Sequence, residues 1–170
     1  MNLSEIEKAV AEKDYDKLID IVKSNLKSDV IIDSVYENPI RFENSIRTEK
    51  NTDIIHDAVI KGVVDNAGYW FPELPTPEKL FEIIQNKYDV SRQYMNVRHI
   101  ILTILYLSGI NKRKAGYLMG KNSGHTSTIY AMKKIKHYSY SEVNTCCAFV
   151  DCFFSVKKSL NNLVIDEPEY

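Results

Sequence analysis

The segment 124–136 reads Gly-His-Thr-Ser-Thr-Ile-Tyr-Ala-Met-Lys-Lys-Ile-Lys. Its front is small and hydroxylated, its rear is basic, and apolar side chains recur between. At the start of a helix this order suits contact with DNA. Small side chains there let the backbone approach base edges, and the positive end of the helix dipole attracts phosphate. Thr126 and Ser127 offer hydroxyls to bases or phosphates, and a threonine methyl packs on the methyl of thymine. His125 can donate to a base edge or accept from one. Lys133 and Lys134 lie further along, where lysines neutralise phosphates and set register, and the Tyr130 phenol adds a phosphate hydrogen bond.

The charge along the chain favours the same stretch. Of 170 residues, 22 are Lys or Arg and 23 are Asp or Glu. Residues 1–85 hold ten of the bases and 17 of the acids, whereas residues 86–140 hold ten bases and one acid, Asp89. A nearly neutral chain thus carries one basic segment, as expected of a polyanion site on one face rather than of general stickiness. Lys112, Lys114 and Lys121, with Asn122 and Ser123 after the last, add donors just ahead of His125.

The elements that must hold these residues all read as helix. Asn111 is placed to cap a short helix over 112–119, and Gly120 to end it. Lys121-Asn-Ser-Gly124 is a turn. A second helix spans 125–137, with Thr128, Ile129, Met132 and Ile135 facing inward. A short helix, a glycine-bearing turn and a second helix opening on small polar residues is a helix-turn-helix pattern. Ahead of it, residues 96–107 are strongly apolar and stop at Ser108-Gly109. Thr76, Pro77 and Glu78 make a helix start, with Leu80, Phe81 and Ile84 as its buried face.

Pro72, Pro75 and Pro77 forbid regular helix across 69–77 and mark a stiff joint. Before the joint, Ser4 and Glu7 have capping-box spacing. Tyr15, Leu18, Ile19, Val22 and Leu26 form an amphipathic stripe. Ser28-Asp29 starts a short helix with Ile31, Ile32 and Val35, which Asn38-Pro39 ends. Thr52-Asp53 opens a longer one with Ile55, Val59, Ile60, Val63 and Val64, closed by Asn66 and Gly68. After the basic segment, a last helix from near Ser141 carries Val143, Cys146, Cys147, Val150, Phe153, Phe154 and Leu160 as a broad apolar stripe.

These patterns add up to an all-α helical bundle. An acidic helical region over 1–70 would serve protein docking or dimerisation. A DNA-binding domain covers 76–140, an amphipathic helix over 141–163 packs on the core, and 164–170 is a flexible acidic tail. The oligomeric state stays open between monomer and homodimer. No apolar run reaches the roughly 18 residues of a membrane span, and the acidic start is no signal peptide, so no membrane contact and a cytoplasmic location are expected. Cys146, Cys147 and Cys152 lack zinc spacing and read as small buried hydrophobes. Gly116-x-x-x-Gly120-Lys121-Asn122 is one residue short of a phosphate loop and lacks Ser or Thr after the lysine, so no nucleotide cofactor is expected. No paired carboxylates, metal cluster or nucleophile motif points to an enzyme.

Residues 76–137 resemble the C-terminal DNA-binding domain of DnaA, the bacterial chromosomal replication initiator. That family closes on a signature near Gly-Gly-Arg-Asp-His-Thr-Thr-Val-Leu-His-Ala, followed by a basic pair and Ile. Here Gly120-Lys-Asn-Ser-Gly-His125-Thr126-Ser127-Thr128-Ile129-Tyr130-Ala131-Met-Lys133-Lys134-Ile135 keeps that order. The family's preceding Ile-Gly and aromatic correspond to Ala115-Gly116-Tyr117-Leu118-Met119, and its Pro-Arg-Gln helix opening to Val97-Arg98-His99. The resemblance implies that His125, Thr126 and Ser127 touch bases in the major groove. It implies that Arg98 enters the neighbouring minor groove, and that Lys112, Lys114 and Lys121 lie near the backbone. Double-stranded DNA is then the partner, in replication initiation or transcription control, with a replication or transcription protein as a further partner of residues 1–70. A stand-alone copy of such a domain suits a phage or mobile element acting in the host cytoplasm.

The chain also departs from that family. Gly124 stands where the family keeps an acid, one extra residue separates Gly120 from His125, and the basic loop before Arg98 is reduced to Ser91-Arg92-Gln93. The target sequence is therefore expected to differ from the family's usual box. The same departures motivate an alternative: a protein-interaction module, a decoy or regulator of a replication initiator, that has lost DNA binding.

Overall fold

The computed structural model describes residues 2–42, 48–85, 92–120 and 124–163, the side chains of 83–85 and 92 excepted. All regular structure among the described residues is helical. In chain order these are α1 (Ser4–Ala11), α2 (Tyr15–Asn25), α3 (Val30–Glu37), α4 (Thr52–Trp70) and α5 (Pro77–Gln85), then α6 (Arg92–Leu107), α7 (Lys112–Leu118), α8 (Gly124–Ser141) and α9 (Val143–Asn161).

Several helix starts follow directly from local chemistry. The Asp14 carboxylate accepts the Lys17 N–H at 3.1 Å and so caps α2. Asp29 sits at the start of α3 with φ of +55°, a conformation in which aspartate is among the better tolerated residues. Pro77 opens α5, where its missing N–H costs nothing.

α9 organises the core. It is buried all round from Thr145 to Phe154, as a helix in the centre of a bundle must be. α4 makes the broadest contact with it, and α1, α2, α6 and α8 also touch it. Gly62 lets α4 come close, since a Cβ there would lie 2.7 Å from Val156 Cγ2. Further along the same seam Trp70 Nε1 donates to the buried Asp151 Oδ2 at 2.8 Å. Burial pushes the Asp151 carboxyl above its ordinary range, while the Trp70 hydrogen bond and the Lys13 charge act the other way. Cys146, Cys147 and Cys152 lie buried on α9 as free thiols. Burial pushes the Cys146 thiol up to about 12, so it behaves as a small hydrophobe near neutral pH.

One hydrophobic cluster runs from Ile6 in α1 to Leu160 in α9, through both the acidic and the basic stretches of sequence. Trp70 and Phe71 are buried in it, whereas Tyr69 stacks on Tyr15 at 4.0 Å between ring centres.

Several boundaries differ from the sequence pattern. Ser4 is not a cap: Leu3 holds that position, and Asn2 Oδ1 accepts the Ser4 N–H at 3.0 Å. α4 does not stop at Asn66 and Gly68 but runs on to Trp70. There Asn66 Nδ2 donates to the Gly62 carbonyl at 2.6 Å, within the helix, and the buried Ala67 and Trp70 hold the final turn to the core. Phe81 is 40% exposed rather than buried, and Leu80 alone of that pair enters the core; the Ile84 side chain lies outside the described residues. α6 starts at Arg92, earlier than the apolar run suggests, and α8 continues to Ser141. In α8, Ala131 and Ser139 join Thr128 and Ile135 inside, while Ile129 and Met132 are half-buried. The tail 164–170 lies outside the described residues.

Candidate nucleic-acid interface

The basic segment folds as two helices packed directly on each other. Asn111 caps α7, its side chain accepting the Lys114 N–H at 2.8 Å. After α7, Gly120 takes φ of +71°, a turn conformation that suits glycine. Gly116 and Gly124 then meet where α7 and α8 cross. A Cβ on Gly116 would overlap the Gly124 backbone, and one on Gly124 would overlap the Arg113 carbonyl. The fully buried Thr128 fastens the crossing: its hydroxyl lies 2.7 Å from the Lys112 carbonyl and 3.1 Å from that of Gly124.

This packing turns the start of α8 outward. His125 and Thr126 are exposed, Ser127 is half-buried, and Tyr130 and Lys133 follow on the exposed side. Thr126, Tyr130, Lys133, His137 and Tyr140 fall at spacings of four, three, four and three, one face of a helix. Lys134 lies at its edge, with Nζ 5.3 Å from the centre of the Tyr130 ring and 5.6 Å from that of Tyr138. Lys112 reaches over Tyr106 at 5.0 Å, and Lys114 is exposed. A shallow cleft of about 390 Å³ opens between the two helices, lined by Arg113, Tyr117, Gly124, His125 and Thr126.

No carboxylate among the described residues lies within ion-pair distance of Lys112, Arg113, Lys114, Lys133 or Lys134. One flank of that face of α8 is different. Lys136 Nζ is 2.9 Å from Asp33 and 4.0 Å from Asp29, and Tyr36 Oη donates to the Met132 carbonyl at 2.8 Å. The Asp33 hydrogen bond and charge hold the Lys136 ammonium above its ordinary range. So Asp29 and Asp33 neutralise one flank of α8, while Lys133 and Lys134 have no carboxylate partner among the described residues.

The structure therefore brings His125, Thr126, Ser127, Tyr130, Lys133 and Lys134 together on α8, beside Lys112 and Lys114 on α7. Lys121, Asn122 and Ser123 lie outside the described residues. Arg98 lies apart from this set, on α6. α6 begins at Arg92, so Arg98 stands in its second turn rather than at its opening. It is 4% exposed there, with Nη1 3.8 Å from Met95 Sδ. Tyr130 meets the buried His99 edge to face at 5.6 Å. Two residues of the cleft, Arg113 and Tyr117, are not among those the sequence pattern singles out. Their spacing of four, which makes them neighbours on a helix and lets a guanidinium reach a ring, was the available signal.

Among the described residues no three metal-ligating side chains cluster, and no helix is long and apolar enough to cross a membrane. The chain matches no protein-family model, no curated protein and no solved structure.

Proposed function

We propose that the chain binds double-stranded DNA through the α7–α8 face, with a preference for particular sequences, in replication initiation or transcription control. One observation carries this reading. Five basic side chains without a carboxylate partner among the described residues lie on α7 and along α8, whose start carries an exposed histidine and threonine. Lysines placed this way neutralise phosphates, and the small residues ahead of them are the kind that approach base edges. The resemblance of this stretch to the DNA-binding tail of DnaA supports the same docking mode, with α8 as the recognition helix of a helix-turn-helix.

Selection of bound duplexes from a random pool tests the reading. An enriched common sequence supports it. A pool that stays random after several rounds contradicts sequence preference.

A second reading draws on the burial of Arg98, the arginine that the resemblance would send into the minor groove. On that reading the fold is an interaction module for a replication protein. Capture of such a protein by a variant with Lys112, Lys114, Lys133 and Lys134 all changed to alanine would favour it. Loss of DNA binding in that variant, with no capture, would favour the first.

A further inference from the structure

Resting on the duplex-binding reading, we propose that Arg113 is a specificity-determining residue that reads a guanine next to the bases met by His125 and Thr126. Arg113 Nε donates to Tyr117 Oη at 3.3 Å, and the guanidinium carbon lies 5.5 Å from the centre of the Tyr117 ring. The two residues are one helical turn apart, so the backbone of α7 holds ring and guanidinium together. With Nε turned to the phenol, the two Nη groups are the outer edge of the fork. No carboxylate among the described residues engages them, so their charge-assisted hydrogen bonds are still to be made.

Position decides what they meet. Arg113 lines the cleft that also presents Gly124, His125 and Thr126. Gly124 itself is buried against α7, so the side chains that a nucleic acid can meet in the cleft are Arg113, Tyr117, His125 and Thr126. A group in that concavity faces the groove floor, whereas Lys114 and Lys133, exposed on the outer surfaces of the two helices, suit the phosphate rim. A planar fork with two parallel donors matches O6 and N7 of guanine, the commonest specific contact in the major groove. Tyr117 fixes the plane in advance, which lowers the ordering cost of a contact that depends on angle.

The test compares the wild-type chain with Arg113→Ala, Arg113→Lys and Tyr117→Phe. Each is titrated with the duplex selected by the wild type and with its single-base changes, and thermal unfolding checks that each is folded. The selected duplex should contain one G·C pair whose replacement weakens the wild type roughly ten- to hundredfold. The same replacement should leave Arg113→Ala nearly unaffected. Arg113→Lys should keep the wild-type salt dependence yet lose the discrimination, because an ammonium is a point charge without a fork. Tyr117→Phe should lose part of it.

A uniform loss over all duplexes in Arg113→Ala, with the salt slope reduced by about 0.9, would make Arg113 a phosphate contact and overturn the proposal. Unchanged discrimination in Arg113→Ala would overturn it as well and leave the duplex-binding reading standing. A wild-type chain that binds no duplex would remove both.

Discussion

Gly116 and Gly124 touch backbone to backbone across the α7–α8 crossing, with no room for a Cβ on either. The contact sets how far α8 swings out and therefore how His125 and Thr126 are presented. Any side chain at Gly124 would strike the Arg113 carbonyl. Glycine at this position is what the crossing requires.

Gly116→Ala and Gly124→Ala should each destabilise the chain by roughly 1–3 kcal/mol, the cost of forcing a methyl into a filled site. Gly68→Ala is the contrasting change. Gly68 lies inside α4 with nothing within 4 Å of a Cβ, so alanine should stabilise by about 0.5–1 kcal/mol. Urea denaturation of the three variants measures both signs. Equal effects at all three positions would refute the close crossing.

Thr128→Val keeps the shape of the side chain and removes its hydroxyl. The Lys112 carbonyl then loses its partner beneath α8. A loss of about 1–2 kcal/mol is expected, with faster amide hydrogen exchange in α7. Undisturbed exchange in α7 would mean that the hydroxyl does not fasten the two helices.

Asp151 gives a pH dependence with a definite sign. Its folded pKa is raised above the unfolded value, so over that interval the native state holds the extra proton. Stability should fall as pH climbs from the ordinary carboxylate range through the raised value, and the full cost should persist above it. Asp151→Asn keeps a carbonyl to accept from Trp70 and cannot ionise. It should flatten that fall and match or exceed the wild-type stability at neutral pH. Trp70 is the single tryptophan of the chain, so its fluorescence can follow unfolding at each pH. A wild-type stability that rises across this window because of Asp151 would contradict the assignment.

Much of this architecture is legible in the sequence where the deciding chemistry is local. Asn111 caps α7 and Gly120 turns the chain after it, both through groups within a few residues. Periodic apolar positions such as Leu18, Val22, Ile55 and Val59 point to the core they enter. Other features depend on partners far along the chain. Asn66 and Gly68 resemble a helix end, but the burial of Trp70 against α9 carries α4 past them. Arg98 resembles a groove-reaching arginine by its neighbours, whereas the fold buries it within α6. Arg113, between Lys112 and Lys114, is legible as charge but not as a cleft residue, because only the glycine crossing sets its direction. Lys136 likewise counts among the basic residues until Asp33 on α3 neutralises it.

Base reading and phosphate contact should separate by mutation. Changing His125 and Thr126 together to alanine should reduce discrimination between sites more than it reduces total affinity. Lys133→Ala should weaken every duplex alike and lower the salt slope by about 0.9. Competition titrations with selected and scrambled duplexes measure both. Equal losses on all sequences from both changes would count against base reading.

The most direct measurement is the affinity of the wild-type chain for its selected duplex between about 50 and 200 mM salt. With Lys112, Lys114, Lys133 and Lys134 on phosphates, log affinity should fall against log salt with a slope of about −3 to −4. An affinity that does not change with salt, or no measurable binding at the low end, would contradict a duplex-binding face on α7 and α8.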